Sequence, residues 1–201
     1  MIKPFEPQSS HSIAAVILAG GQGSRMGGED KGLVTFRQDP MISWTLEKVR
    51  PLVDELVISC NRNQSVYAGF GEQTVTDDAQ GFLGPLAGVQ AAMNQLSTRY
   101  RHLLVLPCDT PLISQELISL LIEKAQQQPD AITLLRAAGR SQCLHAVIPL
   151  QYHANLNKAL ASGQRAVFKW YKQFPIQEID VETHAGFLVN MNTFEHLSLS
   201  A

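Results

Sequence analysis

Unbroken apolar runs alternate with amphipathic segments along the chain. The first run, Ile13 to Ala19, is apolar throughout and predicts a strand buried on both faces of a parallel sheet. Further strands are predicted near residues 56–59, 75, 101–111, 132–135, 144–148 and 176–181. Between these strands, apolar residues recur every three or four positions, which is typical of helices with one buried face.

The ends of the helices carry their own signals. Asp39 and Pro40 are predicted to open one helix, with Asp39 as its cap and Pro40 in its first turn. Ser114 is predicted to cap another helix, whose buried face holds the apolar residues between Leu117 and Ala125. Other helices are predicted around residues 86–96, 152–161 and 193–199.

This alternation of strand, loop and helix predicts the fold. We expect one three-layer α/β/α domain with a mainly parallel, Rossmann-like sheet over residues 13–201, and a loose N-terminal extension over residues 1–12. In such sheets the ligand binds beyond the carboxyl ends of the strands. The polar loops that follow the strands are therefore expected to gather at one edge.

Composition narrows the classes of function. The formal net charge of the 201 residues is -2, which gives no electrostatic reason to expect a long nucleic acid as partner. No apolar run approaches the ~20 residues of a membrane span, so no membrane partner is expected. The three cysteines lack C-x-x-C spacing and predict neither a disulfide framework nor a structural zinc site. These features favour a cytoplasmic protein.

The loop after the first strand carries the chemistry. It reads AVILAGGQGSRMGGEDKG over residues 15–32 and matches neither the Walker pattern nor the dinucleotide pattern G-x-G-x-x-G. Gly20, Gly21 and Gly23 allow backbone N–H groups to approach an anion closely. Arg25 and Lys31 add positive charge for phosphate oxygens. The loop is therefore predicted to bind phosphate groups.

Several motifs in a fixed order resemble a known family. L-A-G-G-x-x-x-R-M-G-x-x-K, taken with PCDTP at residues 107–111, resembles the nucleoside-triphosphate transferases and, within that superfamily, the molybdenum cofactor guanylyltransferases. GPLAG at residues 84–88 and VNMNT at residues 189–193 follow in the order that the family shows. The resemblance spans residue 17 to about residue 197 and implies the nucleotidyltransferase type of α/β fold.

The resemblance also implies a nucleotide site in the N-terminal half. Leu18, Ala19 and Gly20 would lie against the guanine and ribose of GTP through their backbone, and the segment from Gly21 to Arg25, with Gly23, would wrap the triphosphate. Lys31 would contact the phosphates, and Asp78 lies in a block that contacts the nucleotide. Asp109 would bind Mg²⁺, with Mn²⁺ as an alternative ion. The implied catalytic residues are Arg25, Lys31 and Asp109.

For the C-terminal half, the resemblance implies a molybdopterin site near Arg165, Asn190 and Asn192. One position in the N-terminal half departs from the family pattern. Where relatives read NANR, this chain reads SCNR, so Ser59 stands where the family has a nucleotide-contacting asparagine. Ser59 keeps one hydroxyl but lacks the amide, and Asn61 is the alternative contact.

The implied reaction is the transfer of GMP from GTP to the phosphate of molybdenum-molybdopterin, with release of pyrophosphate. Cytidylyl transfer to the same cofactor is one alternative, although Gly20 fits the L-A-G-G of guanylyl enzymes better than the L-A-A-G of cytidylyl enzymes. Nucleotidyl transfer to a sugar phosphate and a nucleotide-binding module without turnover are the others. Transient contacts with proteins that carry or accept the molybdenum cofactor remain open.

A few residues away from these motifs admit two interpretations. His145 is either a structural histidine or a residue that faces the pterin. Trp170 and Tyr171 either are aromatic residues of the core or of a helix face, or stack on the pterin. Cys108, which precedes Asp109, is interpreted as a packing residue of a buried strand end.

Overall fold

A computed structural model describes residues 12–19, 29–77 and 84–191 of the chain. The strands in these ranges are β1 (Ile13–Leu18), β2 (Thr35–Phe36), β3 (Asp39–Pro40), β4 (Glu55–Ser59), β5 (Gln73–Val75), β6 (His102–Pro107), β7 (Ile132–Ala137), β8 (Arg140–Pro149) and β9 (Ile176–Asp180). The α-helices are α1 (Met41–Val49), α2 (Gln64–Ala68), α3 (Pro85–Leu96), α4 (Gln115–Gln127), α5 (His153–Ala161) and α6 (Val167–Tyr171). Short 3-10 helices cover Lys31–Leu33, Arg50–Leu52, Leu150–Tyr152 and Glu182–Leu188.

Seven of these strands form the main sheet, in the order β5-β4-β1-β6-β8-β7-β9. β1 pairs in parallel with β4 and β6, whereas β8 runs antiparallel to both β6 and β7. The predicted α/β fold with a mainly parallel sheet is therefore confirmed. The register sets Leu18 opposite both Ser59 and Pro107, so the carboxyl ends of the three central strands lie side by side.

Alternating residues of the strands fill two separate cores. On one face of the sheet, Ala15 and Ile17 of β1 pack with apolar residues of α1 and α4. On the other face, Ala14 and Val16 pack with α3, α5 and α6. The continuous apolar run of β1 thus serves both layers, which is why it lacks an alternating polar pattern.

Trp170 and Tyr171 belong to the second of these cores. Both side chains are fully buried, and each polar atom is hydrogen-bonded within the protein. Trp170 Nε1 donates to Asn155 Oδ1 at 2.8 Å, and the Tyr171 hydroxyl donates to the carbonyl of Cys143 at 3.0 Å. The core interpretation of this aromatic pair is therefore confirmed.

Two residues were predicted to cap helices, and the structure confirms one of them. Ser114 caps α4, since its Oγ accepts a hydrogen bond from the N–H of Leu117 at 3.3 Å. Asp39 does not cap a helix. Asp39–Pro40 forms β3 and pairs with β2, and α1 begins at Met41, whose N–H donates to Val34 O at 2.9 Å.

The hairpin between β2 and β3 was not predicted, because its turn residues are not the ones that usually form such turns. Its two turn residues, Arg37 and Gln38, have φ angles of +47° and +80°. Such turns normally carry glycine, asparagine or aspartate, which tolerate positive φ, so the sequence gives no turn signal here. Packing of Phe36 and Met41 in a small apolar cluster with Val34 and Met191 accompanies the hairpin.

Some predictions fall outside the described residues. These are the extension up to residue 11 and the helix expected at residues 193–199. Within the described ranges, no helix has the length and apolar character that crossing a membrane requires.

Candidate active site

The candidate site lies where β1, β4, β5 and β6 end. Main-chain hydrogen bonds continue the sheet past the strand ends: Ala19 N–H donates to Ser59 O at 2.8 Å, and Cys108 N–H donates to Leu18 O at 3.1 Å. Cys60 N–H donates to Val75 O at 3.0 Å. The loops that follow these four strands therefore start from one rigid edge, as the parallel arrangement predicts.

Lys31 and Asp109 meet at this edge. They are 78 positions apart in sequence, yet Lys31 Nζ donates to Asp109 Oδ2 at 3.2 Å. Their side chains are 21% and 14% exposed, so the pair is shielded from most of the solvent but still reachable by a ligand. The structure thus joins the positive end of the predicted phosphate loop to the predicted metal ligand.

The second oxygen of Asp109 is suited to a metal ion. Asp109 Oδ1 is buried and, among the described residues, has no hydrogen-bond partner. A buried carboxylate oxygen without a donor is costly unless something positive approaches it. A hard oxygen atom of this kind is the ligand that Mg²⁺ and Mn²⁺ prefer, so the residue present fits the implied ion.

The loop that carries Asp109 is held on several sides. Met191 N–H donates to the Asp109 carbonyl at 2.8 Å, and Ile113 N–H donates to Thr110 O at 3.1 Å. Lys48 Nζ on α1 donates to Pro111 O at 2.7 Å. The bond from Ile113 is internal to the loop, whereas those from Met191 and Lys48 come from distant parts of the chain, so the fold as well as the loop fixes the position of Asp109.

His145 supports the same loop from the sheet. It is buried in β8, and its Nε2 lies 3.0 Å from Thr110 Oγ1, in a hydrogen bond. Burial lowers the pKa of this imidazole to about 4, which keeps it neutral. Its place in the core supports the structural interpretation.

We expect His145 to make stability depend on pH. The pKa is about 4 in the folded protein and 6.5 in the unfolded chain, so the unfolded state binds more protons between these values. The contribution of neutral His145 to the free energy of unfolding is fully present above the unfolded pKa of 6.5 and is lost as the pH falls towards 4. By pH 5 this group alone lowers the free energy of unfolding by about 2 kcal/mol. Urea unfolding at pH 7.5 and pH 5 measures the difference.

The variant His145→Gln should show a smaller loss of stability between these two pH values. His184→Gln, which replaces an exposed histidine, is the matched control and should keep the wild-type loss. His102, whose pKa is also lowered by burial, leaves part of the pH dependence in both variants. An equal loss in wild type and His145→Gln would contradict the prediction.

Ser59 lies beneath α3. The side chain is 5% exposed, and Gly88 of α3 passes so close that a Cβ there would stand 2.5 Å from Ser59 Oγ and 3.0 Å from Leu18 Cδ2. α3 therefore approaches the ends of β1 and β4 directly. Asn61 is bound differently, because its Oδ1 accepts from Asp77 N–H at 3.2 Å. The predicted nucleotide contact, from Ser59 or alternatively from Asn61, stays a prediction.

Gly88→Ala should destabilise the protein by about 1–3 kcal/mol, because the new methyl group overlaps the buried side chain of Ser59 and crowds that of Leu18. The sign is informative, since glycine to alanine within a helix ordinarily stabilises by about 1 kcal/mol. Thermal unfolding measures the change. Gly186→Ala, at a position open to solvent, should leave stability nearly unchanged, and adding Ser59→Ala should recover part of the loss. A more stable Gly88→Ala protein would show that α3 has room to move.

The remaining site predictions divide into two groups. Arg165 Nη1 donates to Leu160 O at 2.8 Å and to Gln164 O at 2.9 Å, so part of its guanidinium ties down the end of α5. Asn190 is exposed and directly precedes Met191, the residue bonded to Asp109. The other predicted residues lie outside the described part of the chain: Gly20, Gly21, Gly23, Arg25, Asp78 and Asn192.

One cluster beside the site was not predicted from the sequence. Asp30 is buried and accepts hydrogen bonds from the Tyr67 hydroxyl and from Asn63 Nδ2. The acidic residue beside Lys31 is visible in the sequence, but nothing in the local pattern points from it to Tyr67. Burial, together with Asp30 and nearby cysteines, raises the pKa of Tyr67, so the phenol remains a donor.

Cys60 and Cys108 are buried beside the site. Burial raises the pKa of Cys60 to about 11 and raises that of Cys108 further, with the neighbouring Asp109 as a second cause. A thiol that stays protonated is a poor nucleophile. The packing interpretation of Cys108 is therefore supported by its burial and by its charge environment.

Known proteins are similar to this chain in sequence and in fold. A family model described as the MobA-like NTP transferase domain matches residues 15–175. A molybdenum cofactor guanylyltransferase from Ectopseudomonas mendocina (strain ymp) is 37% identical over 193 residues, which are 96% of this chain and 94% of that protein.

Solved structures agree on the fold. Molybdopterin-guanine dinucleotide biosynthesis protein A from Archaeoglobus fulgidus has a TM-score of 0.77 at 21% identity, covering 94% of this chain and 96% of its own. A protein from Mycobacterium tuberculosis H37Rv, solved in complex with manganese, has a TM-score of 0.69 at 16% identity and covers 94% of this chain and 97% of its own. At these identities the likeness concerns the fold alone.

Proposed function

We propose a reaction on the premise that the chain belongs to the MobA-like NTP transferase family and, within it, to the molybdenum cofactor guanylyltransferases. In the proposed reaction, the phosphate of molybdenum-molybdopterin attacks the α-phosphorus of GTP. The bond to the β-phosphate oxygen breaks, and pyrophosphate leaves with that bonding pair. The substrates are thus two small anionic molecules.

The observation that carries this proposal is the pair of Lys31 and Asp109. Its ammonium and carboxylate groups are 3.2 Å apart at the carboxyl edge of the sheet, and the second carboxylate oxygen is buried without a partner among the described residues. Two anions that must react repel each other, so the site needs fixed positive charge more than it needs an acid or a base. Lys31, with Arg25 of the preceding loop, would supply that charge to the transferred and leaving phosphates.

Asp109 would hold the divalent cation, Mg²⁺ in our proposal. When bound, this ion neutralises triphosphate oxygens and orients the α-phosphate for in-line attack. Asp109 Oδ1, which has no hydrogen-bond partner among the described residues, supports this assignment, and so do the hydrogen bonds that fix the surrounding loop. The manganese bound by the Mycobacterium tuberculosis neighbour supports a divalent ion in this fold, with Mn²⁺ as an alternative to Mg²⁺.

No protein nucleophile is part of the proposal. The attacking oxygen belongs to a phosphate that is already ionised, so a base to remove a proton is not required. The groups near the site agree with that. Cys60 and Cys108 stay protonated, and His145 is buried behind Thr110.

We assign the nucleotide to the N-terminal half and molybdopterin to the C-terminal half. The backbone of Leu18 and Ala19, Gly20, Gly21, Gly23 and Asp78 would contact GTP, with Ser59 or Asn61 as a further contact. Arg165, Asn190 and Asn192 would bind the pterin. The hydrogen bond from Met191 to Asp109 supports a pterin site that adjoins the nucleotide site, because it ties the segment of Asn190 to the predicted metal ligand.

The proposal is tested by pyrophosphate release from GTP in the presence of molybdenum-molybdopterin and Mg²⁺. We expect release with this pair and none when a sugar phosphate replaces the pterin. GTP binding without release would favour a nucleotide-binding module.

Thermal unfolding with GTP, CTP and ATP at equal concentration tests which base the site prefers, because a ligand that binds only the native state raises the melting temperature. We expect the largest shift with GTP; a larger shift with CTP would favour cytidylyl transfer.

We also propose that the reaction takes place in the cytoplasm. All three cysteines are free, which suits a reducing compartment. Transient contacts with proteins that carry or accept the molybdenum cofactor belong to the same proposal, since the product must be handed on.

A further inference from the structure

Asp30 has an unusual set of partners for a buried carboxylate. The residue is 9% exposed and lies one position before Lys31. Its Oδ1 accepts from the Tyr67 hydroxyl at 2.5 Å, and its Oδ2 accepts from Asn63 Nδ2 at 3.1 Å. Both of these donors are neutral, whereas the cation next to Asp30 in the chain forms an ion pair with Asp109. Among the described residues, neutral donors therefore bind Asp30 while the ammonium of Lys31 is directed at Asp109.

The backbone around Asp30 agrees with this division. Asp30 occupies the cap position of the 3-10 helix Lys31–Leu33, but its side chain makes no capping hydrogen bond. The turn is closed by the backbone instead, with Leu33 N–H donating to Asp30 O at 2.9 Å. The carboxylate has turned away from the helix start, where aspartate ordinarily binds, and towards α2.

Gly32 joins the same contact. A Cβ at Gly32 would overlap the Tyr67 hydroxyl and would lie 3.2 Å from two ring carbons of the phenol. The backbone on the far side of Lys31 therefore rests on the Tyr67 ring. With Asp30 bonded to the hydroxyl of the same residue, Tyr67 contacts both neighbours of Lys31.

The backbone of Asn63 is held in one conformation at the start of α2. It adopts φ +54° and ψ 32° just before α2, a left-handed conformation that asparagine tolerates better than most residues. Its carbonyl accepts from the N–H groups of Val66 at 2.9 Å and Tyr67 at 3.0 Å. The two donors to Asp30 thus belong to one rigid turn at the start of α2.

We propose that Tyr67 and Asn63 are positioning residues for Lys31. By holding the Asp30 carboxylate with neutral donors, they fix the turn from Asp30 to Gly32 and keep the Lys31 ammonium directed at Asp109 and at the phosphates bound there. They act through Lys31 and do not touch the substrate. The inference rests on the proposed function only in taking a nucleotide phosphate as the ligand of Lys31.

Tyr67→Phe tests this, because it removes the hydroxyl and keeps the ring against Gly32. We expect the Kd for GTP with Mg²⁺, measured by isothermal titration calorimetry, to rise about 10-fold, and kcat for pyrophosphate release to fall by a similar factor. In a Lys31→Ala protein, the same substitution should change neither quantity by more than about twofold, because the group through which Tyr67 acts is gone.

Tyr171→Phe is the matched control. Its hydroxyl is also buried and also bonded to a protein oxygen, the carbonyl of Cys143 at 3.0 Å, but it lies on the opposite face of the sheet. Both substitutions should lower the melting temperature, and Tyr67→Phe should do so with and without Lys31. Only Tyr67→Phe should alter GTP binding and kcat.

Two results would overturn the inference. One is an unchanged Kd and kcat in Tyr67→Phe; the other is an equal loss with and without Lys31, which would mark a purely structural role. Asn63→Ala is a second test. It should weaken GTP binding in the wild-type background and should have no further effect on GTP binding in the Lys31→Ala background. If the wild type binds GTP but releases no pyrophosphate with molybdenum-molybdopterin, the proposed function fails while the titrations still decide the role of Tyr67. A wild type that binds no GTP would overturn both.

Discussion

Asp109→Asn is expected to slow pyrophosphate release by about 1000-fold, which corresponds to about 4 kcal/mol of transition-state stabilisation. The substitution keeps the size of the side chain and the hydrogen bonds of its backbone, but it removes the charge that would hold a divalent cation. The buried Oδ1, which has no donor among the described residues, is the atom most affected. Steady-state kinetics with GTP and molybdenum-molybdopterin measure the loss.

A matched control separates the loss of this carboxylate from a general loss of charge. Asp130 is exposed, accepts a hydrogen bond from Gln151, and precedes β7, so it lies at the opposite edge of the sheet. Asp130→Asn should release pyrophosphate at the wild-type rate. Raising Mg²⁺ should not restore Asp109→Asn. Wild-type turnover in Asp109→Asn would contradict the assignment of the metal to this residue.

Lys31→Ala is expected to lower kcat by about 100-fold and to weaken GTP binding, since it removes a fixed positive charge from the phosphates. Lys124→Ala is the control, because Lys124 lies on α4 and donates only to the exposed Gln127 among the contacts described for it. The measurement is pyrophosphate release, with a GTP titration to separate affinity from turnover.

Combining Lys31→Ala with Asp109→Asn tests whether the two residues work as one unit. Because Lys31 Nζ and Asp109 Oδ2 are in direct contact, the double variant should be little slower than Asp109→Asn alone. Fully additive losses would mean that each residue stabilises the transition state on its own. GTP binding at wild-type strength in both single variants would refute the site.

Much of the architecture follows from local patterns. The buried run of β1, the helical spacing of α3 and α4, and the cap at Ser114 were predicted and are confirmed. Asp39 shows the limit of such patterns. Aspartate followed by proline is a common helix opening, but here the pair forms β3, because a turn at Arg37 and Gln38 with positive φ brings it back onto β2. Packing imposed that turn against the local preference.

In the candidate site, too, some residues could be predicted from local sequence and others could not. Lys31 was chosen by its residue type in a glycine-rich loop and Asp109 through the family resemblance of its motif, whereas Tyr67, Asn63 and the burial of Asp30 were not foreseen. A loop lysine and a strand-end aspartate have recognisable local settings. A tyrosine on a short helix has none, since its importance comes from a contact 37 positions away.

The sequence by itself determined the α/β class, the order of the main strands and of the longer helices, and the motifs by which the family is recognised, because hydrophobic period and loop composition are local properties. Only the tertiary structure decided that β8 runs antiparallel to its neighbours, that Lys31 reaches Asp109 across 78 positions, and that Asn63 and Tyr67 donate hydrogen bonds to Asp30 beside Lys31. Those arrangements depend on sheet register and on which helix packs beside which loop. Both are settled by contacts between distant segments, whose burial the chain achieves only when the whole fold has formed.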